Sequence, residues 1–189
     1  AWCLQADASL RPSMEQVLRH RFISIDAPTP APVPSARHFF LSHFQKEAAD
    51  LVRSLYLMLK ECGCSCWLDM EADNLTLEGM RNGVEMSQCF MLVLTHGVLF
   101  RPYCIEEIFV AAKLEKDVVL VCETEARFHA FNYDEWNSER KTSKQYAWCL
   151  AELAKVEGRG EAAAAHMMET VACVIDSNKE HMIPYRRRN

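Results

Sequence analysis

Two runs constrain what this chain folds into. Cys89-Phe90-Met91-Leu92-Val93-Leu94-Thr95 and Val118-Val119-Leu120-Val121-Cys122 are apolar at nearly every position, not at alternate ones. A strand with one wet face alternates, whereas a strand covered on both faces reads as a continuous apolar run. Two shorter runs come first, His38-Phe39-Phe40-Leu41-Ser42 and Cys64-Ser65-Cys66-Trp67-Leu68. Between the runs the apolar residues fall at helical spacing, as with Leu51, Leu55 and Met58. Repeated strand–helix units predict an α/β, flavodoxin-like doubly wound parallel sheet with right-handed crossovers. Residues 89–95 are expected in the interior of the sheet.

Beyond Glu123 the pattern predicts an aromatic-rich loop from Phe128 to Trp136 and helices over 143–156 and 161–177. Ile183-Pro184-Tyr185 reads as a short edge strand, because proline cannot donate to a central ladder. A closing helix is expected beyond Asn189. Gly158-Arg159-Gly160-Glu161-Ala162-Ala163 has the spacing of a dinucleotide loop but follows a helical stretch, not a strand. It reads as a helix stop followed by a new helix.

Composition excludes several classes. The net charge of −5 over 189 residues argues against a nucleic-acid footprint. No apolar run approaches bilayer-spanning length, so no membrane partner is expected. The nine cysteines are odd in number and scattered through apolar runs, which suits free thiols in a reducing, cytoplasmic setting. Cys62-Gly63-Cys64-Ser65-Cys66 lacks the C-x-x-C spacing of a zinc site, so no metal is expected. Neither an initiator Met nor a signal-peptide pattern opens the chain, which suggests a piece of a longer protein.

The first 36 residues stand apart. Proline at every second position from Pro28 to Pro34 favours an extended, semi-rigid linker across 26–36. Before it, Trp2-Cys3-Leu4, Asp7, Arg11-Pro12 and His20-Arg21-Phe22 resemble the last helices of a protein kinase catalytic domain. Residues 1–25 are therefore expected to be a kinase C-lobe remnant. The glycine-rich loop, phosphate-binding lysine, catalytic loop and metal-binding motif of a kinase are all missing, so this chain is not an active kinase.

Arg101-Pro102-Tyr103-Cys104-Ile105-Glu106-Glu107-Ile108 follows the third run after a short connection. Pro102 suits the first position of a helix. Tyr103 and Glu107 then share one face, and Glu106 points about 100° away. Ligands of open α/β sheets bind at the carboxyl edge of the strands, where this helix would begin.

Four segments in order resemble the TIR domain, the Toll/interleukin-receptor module of immune and cell-death signalling. They are Phe40-Leu41-Ser42-His43, Trp67-Leu68-Asp69 with Leu77-Glu78-Gly79, Ser87 to Thr95, and Tyr103-Cys104-Ile105-Glu106-Glu107-Ile108. The TIR domain is accordingly expected over 37–189, and the resemblance implies strands in the spatial order second-first-third-fourth. The resemblance implies signalling through association with itself or other TIR domains. Some members also cleave NAD+, releasing nicotinamide, and others only scaffold; the sequence leaves both open. Carried onto this chain, the catalytic glutamate is Glu107. Ser42, His43, Trp67 and Tyr103 are expected around the substrate, and Leu75 and Leu77 on the loop that contacts the next subunit. No cofactor is implied, since NAD+ would be the substrate. NAD-cleaving relatives often carry basic residues just after the first-strand serine, where this chain has His43-Phe44-Gln45. Arg81 and Arg101 are the candidates to substitute.

Overall fold

The computed structural model describes residues 37–68 and 76–186. The kinase-like segment, the proline-rich linker and Leu75 lie outside the described residues. The elements run β1 (Arg37–Ser42), α1 (Gln45–Glu61), β2 (Cys66–Trp67), α2 (Leu77–Glu85), β3 (Ser87–Leu94), α3 (Pro102–Lys113), β4 (Asp117–Glu123), α4 (Tyr133–Glu139), α5 (Lys144–Lys155), α6 (Glu161–Asn178) and β5 (Ile183–Tyr185). All strand pairings are parallel and the sheet order is β2-β1-β3-β4-β5. The interior position of β3 agrees with its continuous apolar run.

Strand pleating sorts β1 onto two cores. Phe39 and Leu41 pack with Ala48, Leu51 and Val52 of α1. Phe40 packs on the other face with α2, α3, α5 and α6. There its fully buried ring stacks between Trp67, at 4.3 Å, and Phe90, at 5.5 Å. A buried phenyl ring contributes about 1.5–3 kcal/mol, so this three-ring stack is a principal anchor of the sheet. Gly83 of α2 permits it, because a Cβ there would lie 2.7 Å from the Trp67 indole.

The helices start where side chains can cap them. Thr76 accepts from the Gly79 N–H, Ser143 from that of Tyr146, and Asn132 from those of Asp134 and Glu135. The last of these corrects the sequence reading, which expected a loop through Trp136. The aromatic density there belongs partly to α4, whose start is marked by Asn132 and two acidic residues in the first turn. The second strand is also shorter than expected. The N–H of Cys64 donates to Leu59 O, which closes α1 and leaves only Cys66 and Trp67 to pair with β1.

Candidate functional site

Ser42 ends β1, and its side chain is almost fully buried. Arg101 and Pro102 set the start of α3 so that its second turn passes over that strand end. Cys104 Sγ contacts His43 O at 3.3 Å and fixes the helix against the β1–α1 turn. Glu107 then meets Ser42, whose Oγ donates to Glu107 Oε2 at 2.5 Å. A serine and a half-buried carboxylate, 65 residues apart in sequence, thus come together at the carboxyl edge of the sheet.

The other expected substrate residues fall into different surroundings. His43 is buried, and its Nε2 pairs with Gln45 Oε1 at 2.8 Å. Trp67 is a filled core position between Phe40 and α2, not an open wall of the site. Tyr103, in contrast, is 66 % exposed. Leu77 is half-buried and packs on the core beside Met80 and Val84, at the start of α2.

Glu106, immediately before Glu107, has an entirely different environment. It is 2 % exposed and forms ion pairs with Arg159 and, at 3.5 Å, with Arg81. Arg81 also donates to both oxygens of Glu157, at 3.0 and 2.9 Å. The Arg81 partnership pulls the Glu157 carboxyl below its ordinary value. The turn carrying Glu157 and Arg159 holds Glu157, Gly158 and Gly160 at positive φ. That turn therefore brings Arg159 back onto α3. The network joins α2, α3 and the α5–α6 turn.

A second carboxylate stands at the same sheet edge. Glu47, in the first turn of α1, accepts the Gly97 N–H at 3.0 Å. A Cβ on Gly97 would come within 2.7 Å of that carboxylate, so a larger residue there would displace the Glu47 side chain. Neither the Glu106 network nor the Glu47–Gly97 contact was evident in the sequence. Their partners lie 25 to 76 residues apart, without any motif.

Two surface depressions flank Trp136, one bordered by Phe100, Tyr146 and Met168, the other by His96, Asn132 and Glu139. Neither reaches Ser42 or Glu107. The first is walled largely by apolar side chains, and the second adds His96, Asn132, Glu135 and Glu139.

A parallel sheet of order 2-1-3-4-5 with helices on both faces defines a flavodoxin-like α/β module. Residues 39–146 match the family model described as TIR domain, and the chain belongs to that family. Among solved structures, it is similar to the TIR domains of the activated Roq1 resistosome directly recognizing the pathogen effector XopQ. The identity is 17 %, the TM-score 0.55, and the likeness covers 75 % of this chain and 84 % of that one. It is also similar to the TIR domain of the Toll-related receptor TRR-2 from Hydra magnipapillata, at 11 % identity and TM-score 0.42, covering 55 % of this chain and 91 % of that one. No curated protein gave a significant match.

Proposed function

We propose that this protein is a signalling TIR domain that associates with itself or other TIR domains and, in the associated state, cleaves NAD+ to nicotinamide and ADP-ribose. The observation that carries the reading is the Ser42–Glu107 pair at the carboxyl edge of the parallel sheet. In the reaction the bond between ribose C1′ and the pyridinium nitrogen breaks. Its electron pair returns to the ring, so nicotinamide leaves neutral and needs no general acid. The sugar becomes cationic at C1′ as in other glycosidic cleavages. The Glu107 carboxylate stabilises that charge and accepts from ribose hydroxyls. Water then adds at C1′ and loses a proton, giving ADP-ribose. Ser42 orients the carboxylate through its hydrogen bond.

Self-association is supported by family membership, and by the likeness in fold to TIR domains of an activated resistosome. A cytoplasmic setting is supported by the cysteines, since all those among the described residues are free thiols. No helix among the described residues is long and apolar enough to cross a membrane.

The test is nicotinamide release from NAD+ over a range of protein concentrations, with Glu107→Gln in parallel. Release that rises steeply with concentration and disappears in the variant supports the reading. Equal release in both proteins removes Glu107 from the chemistry. A protein that oligomerises but releases nothing at any concentration is a scaffold.

A further inference from the structure

Arg101 caps the start of α3 without a side-chain capping bond. Its guanidinium carbon lies 3.9 Å from the centre of the Phe44 ring and 5.7 Å from that of Trp148. Ring contacts engage the face of a guanidinium and leave its N–H donors unsatisfied. The buried Arg101 Nε has no hydrogen-bond acceptor, a costly state for a donor removed from water. Among the described residues no carboxylate forms an ion pair with Arg101. Arg81 and Arg159 differ in this respect, as both are committed to Glu106.

The position matters as much as the missing acceptor. Phe44 is two residues beyond Ser42, and Arg101 is six before Glu107 on the same helix. Six helical residues span roughly 9 Å, the order of the distance from a nucleotide's ribose to its phosphates. Glu47 and Glu107 bring two carboxylates to this sheet edge, and an approaching phosphate needs a cation to offset them. A planar fork of donors is the side chain best matched to phosphate oxygens. Trp148 is 48 % exposed, so one wall of the slot is open to a ligand.

We propose that Arg101, clasped by Phe44 and Trp148, binds the phosphates of a nucleotide whose ribose lies at Glu107. This rests on the NAD+ reading for the identity of the nucleotide. Arg101 is a binding residue and takes no part in the bond cleavage.

Calorimetric binding of ADP-ribose and of adenosine to the wild type, Arg101→Ala, Arg101→Lys and Trp148→Ala tests it. The wild type should bind ADP-ribose at least tenfold more tightly than adenosine. Arg101→Ala should weaken ADP-ribose by roughly tenfold or more and leave adenosine unchanged. Arg101→Lys keeps the charge without the fork and should fall between the two. It also carries the test if Arg101→Ala melts early. Trp148→Ala should weaken ADP-ribose less than Arg101→Ala does. Equal ADP-ribose affinity in the wild type and both Arg101 variants overturns the proposal, as does a wild type that shows no preference for the phosphorylated ligand. Arg101-dependent binding without nicotinamide release would sink the catalytic reading alone.

Discussion

Glu106 and Glu107 are neighbours on α3 with opposite surroundings. Glu107 is half-buried and bonded to the Ser42 hydroxyl, whereas Glu106 is buried beside two arginines. Glutamine at 107 keeps the hydrogen bond and removes the charge. On the NAD+-cleavage reading proposed above, turnover should then fall by about 10²–10³ or more while thermal unfolding stays near that of the wild type. Glutamine at 106 should act the other way. It leaves Arg159, whose side chain is 14 % exposed, without its counter-charge, and should cost about 2–3 kcal/mol in urea denaturation. A Glu106→Gln protein as stable as the parent would show that the pair is not worth its desolvation. Helical geometry alone could place Glu106 on a different face from Glu107. It could not reveal that this face is buried against Arg159, because the contact depends on a turn 53 residues away.

At the level of elements, α2 and β2 approach each other at Gly83 and Trp67. Gly83→Ala sets a methyl group against the indole at 2.7 Å and should lower stability by about 1–3 kcal/mol, read from the thermal midpoint. Leu77→Asp should also destabilise the domain, because Leu77 packs on the core beside Met80. Loss of self-association in that variant has to be judged against its melting curve. The long elements were legible in the sequence because their apolar periods are unambiguous. Continuous runs and strand–helix alternation made a parallel sheet legible, with β3 in its interior; the order of β2, β1, β3 and β4 came from the resemblance to the TIR domain, and β5 was legible from its proline. Less evident was α4, since Tyr133 and Trp136 supply too few apolar positions to establish a period over seven residues. In the site, the approach of the 101–108 helix to the sheet edge was legible from Pro102 and the preceding run. The enclosure of Trp67 was not, since it depends on a glycine in another helix.

For the molecule as a whole, the buried cysteines link folding to alkaline pH. Burial pushes the thiols of Cys66, Cys89 and Cys149 up to about 12 and that of Cys122 to about 11. Unfolded thiols ionise near pH 8.5, roughly. Between those values the native protein holds protons that the unfolded chain releases. The stabilisation is therefore complete below about pH 8.5 and declines as pH rises towards the folded values. The urea midpoint should fall progressively between about pH 9 and 11. Cys149→Ala should lower the midpoint at neutral pH and narrow that fall. Among the cysteines of the described residues, a neutral thiol reagent should modify exposed Cys173 first, reaching Cys89 and Cys149 only in denaturant. The parallel sheet also gives the domain two poles. Chain preceding residue 37 enters at the amino end of β1, about 20 Å by strand length from the serine that closes it. Chain following Tyr185 leaves β5 from the opposite pole, on the side of Ser42 and Glu107. The two ends of the described sheet therefore face opposite poles, and Ser42 and Glu107 share the pole at which β5 ends, three strands away from it.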